Sequence, residues 1–322
     1  MEYSITNLAV DNVGENVYAK AFAIGEEMEQ RKRIPLVSVL LASYNHQKYV
    51  EAAVRSVMEQ KGVDFELIVV DDGSTDGSPQ ILERLQRELG FTYVHRENKG
   101  FIATMNELLQ MARGKYYCSF ASDDVMPAER LYRQSQFLAK HSGSVACFGQ
   151  VVPMTAEGVI GKKMIPLYLH NVPEVKFEEI FVSDKALHGC SEMFVTEAVR
   201  SLGGYDTRFY FEDMPLYFAL LTKYGPQPVS PDIVCCAYRE HGNNMHGDHN
   251  KMYREILRLL ELYKNHPLYA YACKRWRARW FSTLAYKNKR EALRRLPELA
   301  SLTPAFIKRL PKLFIPSWLL KC

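Results

Sequence analysis

No apolar stretch in this 322-residue chain approaches the ~18–20 residues that a membrane-spanning helix needs. The N-terminal segment carries Asp11, Glu15, Glu26, Glu27 and Glu29 and lacks the basic-then-apolar order of a secretory signal. The seven cysteines show no C-x-x-C spacing, which excludes the common zinc and redox clamps and suits a reducing compartment. Internal repeats and low-complexity tracts are missing as well. These absences point to a cytoplasmic globular protein, and an apolar fraction of 47% excludes a disordered chain. Net charge is only +4, but it is unevenly spread. Residues 251–322 hold 17 Lys/Arg against 4 Asp/Glu, a balance of +13, whereas residues 1–250 hold 24 against 33, a balance of −9. The two parts are expected to do different jobs.

What the chain does have is alternation of strand and helix patterns from residue 36 to residue 120. Strands are predicted at 36–42, 65–70, 91–95 and 116–120. Helices between them carry Tyr49, Val50, Ala53, Val54 and Val57, then Ile81, Leu82, Leu85 and Leu89, then Met105, Leu108, Leu109 and Ala112. Ser78-Pro79 reads as an N-cap followed by proline in the first turn. Such alternation implies βαβ units and a parallel sheet. Further on, a helix from Pro127 to about Lys140, strands at 145–152, 193–195 and 233–238, and a helix at 216–224 are expected. Residues 153–175, with three prolines, read as a variable loop or hairpin. Basic amphipathic helices broken at Pro267, Pro297, Pro304, Pro311 and Pro316 are expected to the end. The chain thus divides into a leader at 1–34, a catalytic domain at 35–250 and a basic helical region at 251–322.

Four groups of residues close these strands, where open α/β sheets bind ligands. Asp71-Asp72-Gly73-Ser74 can accept from the ring N–H of a pyrimidine and hold a ribose, with Gly73 letting the ligand approach the backbone; a strand-end turn is the alternative. Ser122-Asp123-Asp124 offers hard oxygen ligands for Mg²⁺ or Mn²⁺, or caps the following helix. Glu212-Asp213 could deprotonate an acceptor hydroxyl, or could simply favour a helix N-terminus. Tyr238-Arg239-Glu240-His241-Gly242-Asn243-Asn244 offers His241 as a metal ligand and Arg239 as a phosphate partner. A zinc site from His241, His246 and His249 is the weaker alternative, because the spacing fits no standard zinc pattern.

Together with Val37-Ser38-Val39-Leu40-Leu41-Ala42-Ser43-Tyr44-Asn45, Asn98-Lys99-Gly100 and Gly203-Gly204-Tyr205-Asp206, these groups resemble the motif series of family 2 glycosyltransferases. The resemblance covers residues 35–245. It implies a GT-A fold, a Rossmann-like, mostly parallel sheet flanked by helices, and an inverting glycosyltransferase. Its implied nucleotide-sugar site comprises Ala42, Ser43, Tyr44, Asn45, Asp71, Asp72, Lys99, Gly100, Asp123 and Arg239. It makes Asp124 and His241 the ligands of Mn²⁺ or Mg²⁺, and Asp213, beside Glu212, the catalytic base. Where the family often has another Asp this chain has Ala121, which shifts ribose contact to Asp123. Thr104-Met105-Asn106 replaces an Arg-Asn pair, which leaves Lys99 as the cation for the diphosphate. The partners expected are a nucleotide-sugar donor, taken as a UDP-sugar, and a glycan acceptor, lipid-linked or soluble, but no nucleic acid. A sugar nucleotidyltransferase and a non-catalytic nucleotide-sugar-binding subunit are the alternatives. The first would want a glycine-rich loop where Ala42-Ser43-Tyr44-Asn45-His46 stands. The second would not need Glu212-Asp213. The basic region, with Trp276, Trp280, Phe281, Phe314, Trp318, Leu319 and Leu320 among its cations, reads as a surface for the inner face of an anionic membrane, with packing on the catalytic domain or an oligomer interface as alternatives.

Overall fold

The near-continuous apolar run Val37–Ser43 forms β1, buried along its length, as a strand covered on both faces must be. Phe65–Asp71 (β2) and Tyr116–Ala121 (β4) flank it in parallel, and Thr92–His95 (β3) pairs in parallel with β2. The computed structural model describes residues 34–161, 173–183, 187–242 and 248–315. Within them the eight strands run β3-β2-β1-β4-β7-β5-β8-β6. Beyond the parallel half, Glu192–Val195 (β7) is antiparallel to both β4 and Ala146–Met154 (β5). Gln227–Arg239 (β8) is parallel to β5, and the two-residue Glu174–Val175 (β6) is antiparallel to β8. The result is the mixed, mostly parallel sheet that the alternation predicts.

The crossover helices are Val50–Met58 (α1), Ser78–Leu89 (α2) and Phe101–Met111 (α3), followed by Arg130–Lys140 (α4). Their apolar stripes, such as Val50, Ala53, Val54 and Val57 of α1, lie fully buried against the sheet. The start of α2 differs from expectation. Ser78 is already helical, Asp76 Oδ1 accepts from its backbone N–H at 2.9 Å, and the Ser78 hydroxyl instead accepts from His46 N at 3.1 Å. The short helices Phe177–Phe181 (α5) and Thr196–Arg200 (α6) precede Asp213–Tyr224 (α7).

The basic region is not a separate body. Helices His249–Glu261 (α8) and Tyr269–Lys287 (α9) contribute Tyr253, Ile256, Leu260, Trp276, Trp280 and Phe281 to the same core as the sheet. Trp276 Nε1 donates to the carbonyl of Phe181 and Trp280 Nε1 to Asn250 Oδ1, both at 2.9 Å, while the Trp280 ring stacks on Tyr253. So three of the aromatics expected at a membrane surface, Trp276, Trp280 and Phe281, are core residues, the two tryptophans with satisfied N–H groups, because α9 needs them to seat on α8 and α5. The tail continues as Lys289–Arg294 (α10), Leu296–Leu299 (α11), Pro304–Ile307 (α12) and a 3₁₀ turn at Leu310–Leu313. Pro297 and Pro304 sit in the first turns of helices, where the missing N–H costs nothing, rather than breaking them. Trp318, Leu319 and Leu320, like residues 1–33, Asn243, Asn244 and His246, lie outside the described residues. Among the described residues no helix is long and apolar enough to cross a membrane.

Trp280→Ala should cost about 3–5 kcal/mol, the usual range for emptying a large core site, since the side chain is fully buried and its N–H is paired. Urea unfolding of the full chain measures this, and a loss under 1 kcal/mol would mean that α8 and α9 do not share the core.

Candidate functional site

At the carboxyl ends of β1, β2 and β4 a cavity of about 730 Å³ opens. It is walled at one end by Ala42, Ser43, Tyr44, Asp72, Asn98 and Gly100, in the middle by His46, Asp123, Asp124, Glu212 and Asp213, and at the other end by α8 and α9. Nine of the residues expected at the site therefore meet in one space: Ala42, Ser43, Tyr44, Asp72, Gly100, Asp123, Asp124, Glu212 and Asp213. Ser43 adds a fitting detail. Its hydroxyl is buried with no partner among the described residues, as expected of a group awaiting a ligand's polar atom.

The remaining expected residues hold the frame. Asn45, in the left-handed region at φ 55°, accepts from Thr75 N through its side chain at 2.8 Å and gives its own N–H to Ser74 Oγ. Asp71 is fully buried, accepting from Ser74 N and from the Ser74 hydroxyl, with His95 Nδ1 at 2.9 Å. Asn45 therefore stitches the 43–47 loop to the 71–78 loop, and Asp71 ties its own turn to the end of β3; neither lines the cavity. Gly73, at φ 75°, makes room for protein rather than for ligand, since a Cβ there would stand 2.7 Å from the backbone nitrogen of Asn98. Lys99 points to solvent with Glu107 3.9 Å away. Its backbone N–H and that of Gly100 bind the Asp72 carboxylate at 2.8 and 3.0 Å. The cation that meets Asp72 is Arg96, which no motif flagged; it also binds Glu107 and Thr104 Oγ1. Asn106, in the segment that replaces the family's Arg-Asn pair, exchanges two hydrogen bonds of 2.8 Å with the backbone of Tyr205 and so ties α3 to the Gly203-Gly204 turn.

The adjacent aspartates after β4 face opposite ways. Asp123 Oδ2 stands 2.8 Å from His241 Nε2 and 3.8 Å from His46 Nε2, and one donor atom from each of the three lies within 4.8 Å of the others. Asp124 instead turns inward. Its oxygens accept from Arg239 N at 2.8 Å and from the Cys236 thiol at 3.2 Å. Burial, reinforced by Cys190 and Asp123, pushes its carboxyl well above the usual carboxylate range. The expected division of labour, Asp124 on metal and Asp123 on ribose, is thus reversed in direction, and the oxygen that faces the histidines belongs to Asp123. The donor set suits a divalent ion. Burial lowers His46 below its ordinary value despite the pull of Asp123, and its Nδ1 lies 2.7 Å from Ser122 Oγ, a contact that orients a neutral ring with Nε2 toward Asp123. His46 stood in the loop read from sequence but carried no recognisable spacing to His241. Arg239 stays outside the cavity: its Nε donates to the Asp123 carbonyl at 2.7 Å, and its guanidinium lies over Tyr49, on whose ring His241 also stacks.

The Glu212-Asp213 pair begins α7, where the helix N-terminus favours negative charge. Behind it lies Glu192, buried, bound to Ser119 Oγ at 2.8 Å and to the Tyr217 hydroxyl. Burial raises Glu192 well above the carboxylate range, and burial together with the Asp213 charge pushes Glu212 up to about 8. Glu192 was not singled out by sequence, and neither were His188 and Cys190. Cys190 Sγ and His188 Nδ1 are 3.2 Å apart at the cavity wall. Although burial opposes its charge, Cys190, helped by Asp124 and Asp213, raises His188 to about 9.

A sequence profile described as "Glycosyl transferase family 2" matches residues 38–196. Among curated sequences, one similar to this chain is TuaG of Bacillus subtilis (strain 168), described as a "Putative teichuronic acid biosynthesis glycosyltransferase". It is 38% identical over 111 residues, 34% of this chain and 44% of TuaG. The chondroitin synthase of Escherichia coli is 35% identical over 96 residues, 30% of this chain and 14% of that protein. The alignments thus span less than half the length of these relatives. Among solved structures, Staphylococcus aureus TarS 1–349 in complex with UDP-GlcNAc superposes with a TM-score of 0.62 at 18% identity, over 86% of this chain and 80% of that one. Mannosyltransferase PcManGT from Pyrobaculum calidifontis in complex with GDP-Man and Mn²⁺ gives 0.55 at 18% identity, over 95% and 96%. At such identities the superpositions establish a shared GT-A fold.

Glu212 keeps a proton in the folded protein that the unfolded chain releases from its ordinary value of 4.5 upward. Its contribution to stability is therefore complete below pH 4.5 and is lost as pH rises through about 8. Glu212→Gln, which mimics the protonated form, should gain on the wild type in urea unfolding from pH 5 to pH 8 and then level off. A difference independent of pH would show that Glu212 is already ionised at neutrality.

Proposed function

Because the chain belongs to glycosyltransferase family 2, we propose that it is an inverting enzyme that moves a sugar from a UDP-sugar to a hydroxyl of a glycan acceptor in surface polysaccharide synthesis. The observation that carries this is the placement of Asp72, Asp123 and Asp213 along one cavity. A donor lying there would have its nucleoside against Ser43, Tyr44 and the Asp72–Gly100 corner, its diphosphate near Asp123, and its sugar toward Asp213. The complexes of TarS with UDP-GlcNAc and UDP support a uridine donor, and the name of TuaG supports a polysaccharide product.

Asp213 takes the proton from the acceptor hydroxyl. That oxygen attacks the anomeric carbon from the face opposite the leaving diphosphate, through an oxocarbenium-like transition state, so an α-linked donor gives a β product. Burial raises Glu192 and, with the charge of Asp213, Glu212, which leaves Asp213 as the carboxylate of the pair assigned to the base. Asp123 and His241, with His46, would hold Mn²⁺ or Mg²⁺, which supplies charge neutralisation at the departing diphosphate. The mixed nitrogen and oxygen donors favour Mn²⁺ over Mg²⁺. Arg239 and Tyr49 keep His241 in place.

Asp213→Asn should bind UDP-sugars as the wild type does, read by thermal protection with Mn²⁺, and should lose transfer by about 10²–10⁴-fold, the usual range for a general base. Protection should vanish in chelator and in His241→Ala. A wild type that no nucleotide sugar protects, with or without metal, would falsify the reading.

We also propose that the basic region holds the enzyme at the inner face of an anionic membrane, beside a lipid-linked acceptor. With Trp276, Trp280 and Phe281 in the core, the support moves to α12 and the turn after it. There Ile307 and Phe314 are exposed alongside Lys308, Arg309 and Lys312, and Leu302 is 97% exposed just before. Apolar side chains among cations suit a headgroup surface. The full chain should float with anionic liposomes at low salt, and Leu302→Ser/Ile307→Ser/Phe314→Ser should reduce flotation severalfold. Equal flotation of this variant would remove α12 from the contact.

A further inference from the structure

The end of the cavity farthest along the chain from the nucleotide loops is built by residues beyond the family 2 match: Tyr210, Phe211, Met252, Ile256, Trp276 and Arg279. It is aromatic and apolar, with one exception. Arg279 is the sole Lys or Arg among the described residues that wall the cavity, while Asp72, Asp123, Asp124, Glu212 and Asp213 supply its acids. The guanidinium is partly buried. Its Nη1 donates to Ser183 Oγ at 3.0 Å, its carbon lies 5.5 Å from the Trp276 ring centre, and it forms no ion pair with any described residue. Ser183 is itself held in the left-handed region, at φ 60°, directly after the turn that ends α5. A guanidinium has five N–H donors, and this one gives a single hydrogen bond to a side chain. A half-buried charge with no counterion among the described residues can take one from a ligand, and a planar cation laid on an indole is already oriented for a two-pronged contact with an oxyanion.

We propose that Arg279 binds an oxyanion of the acceptor, so that the enzyme selects an acidic acceptor glycan, one bearing a carboxylate or a phosphate beyond the accepting hydroxyl. The assignment rests on the glycosyltransferase reading for what the cavity accepts. It follows from charge: the donor's diphosphate already has the Asp123–His241 group as its metal-binding anchor, whereas the α8–α9 end has a cation and aromatic walls that suit the faces of sugar rings. Arg279 is thus a specificity-determining residue for the acceptor rather than a catalytic one.

The test measures binding by calorimetry in the presence of UDP and Mn²⁺. The probes are two acceptor pairs: a β-glucuronide against its methyl ester, and a glycosyl phosphate against the neutral methyl glycoside. The wild type should bind the charged member of at least one pair about 10–100-fold more tightly, the span of a charge-assisted hydrogen bond, and the responding pair names the anion. Arg279→Gln should abolish that preference while leaving UDP-sugar protection within twofold. Arg279→Lys should restore part of it, which a merely structural role would not produce. An Arg279→Gln protein that keeps the preference, a wild type with no preference in either pair, or a variant that loses UDP-sugar protection and acceptor binding together would each overturn the assignment. UDP-sugar protection and turnover by the wild type, read in the same samples, report on the glycosyltransferase reading separately.

Discussion

The segment leaving β4 does not turn straight into its helix. It first crosses to β8, three places away in the sheet, and pairs with it through Val125 and Ala237, which exchange hydrogen bonds of 3.2 and 2.9 Å. Asp124 locks this crossing by accepting from Arg239 N and the Cys236 thiol. The rest of the site depends on that clasp. It carries the end of β8 over the sheet, so Arg239 reaches the Asp123 carbonyl and His241 reaches the Asp123 carboxylate. A buried carboxyl that would be costly alone is made tolerable by hydrogen bonds that also fix the distance between two chain ends.

The same economy explains much of what the sequence could and could not tell. The strands were legible because a sheet covered on both faces requires near-continuous apolar runs, as in Val37–Leu41, broken only by Ser38, and Leu67–Val70. The acidic motifs at Asp71-Asp72 and Asp123-Asp124 were legible as positions, since both close strands, whereas Glu212-Asp213, expected after a strand, instead follows the turns after α6 and opens α7. Their directions were not, because neighbouring aspartates on a turn can point either way and only tertiary contacts decide. Asp71 and Asn45 look like ligand contacts in a motif, yet the Asn45 side chain is consumed in holding two loops together and that of Asp71 in holding its own turn and His95. Arg96 and His46 act through partners distant in sequence, Asp72 for one and Ser122 and Asp123 for the other, and no local spacing marks such residues. The aromatics of the basic region were misread for a related reason: cations interleaved with tryptophans look alike whether the rings face lipid or an adjoining helix, and the hydrogen bonds of Trp276 and Trp280 settle it here.

Electrostatically the cavity is graded. Near the loops after β1 and β2 the Asp72 carboxylate is met by Arg96 and two backbone N–H groups. At mid-length, burial raises both Glu192 and Glu212, helped at Glu192 by Glu212 and Asp213 and at Glu212 by Asp213, so that not every carboxyl there ionises at once. Toward α9 the sign changes. Such grading orients a substrate that is anionic at particular points along its length, independently of any single contact.

One consequence concerns how such a protein diversifies. The matched region, residues 38–196, supplies the loops after β1 and β2 and the aspartates after β4, while α8 and α9 wall another part of the same cavity from a separate stretch of chain. Mutations there can reshape one mouth of the cavity while the loops at the other stay as they are. Yet α9 is also core, anchored by Trp280 and Phe281, so only its cavity-facing positions are free to drift. A lineage exploring new acceptors would therefore be expected to vary every third or fourth residue along α8 and α9 and to hold the intervening ones fixed, leaving a helical stripe of divergence on an otherwise constant scaffold.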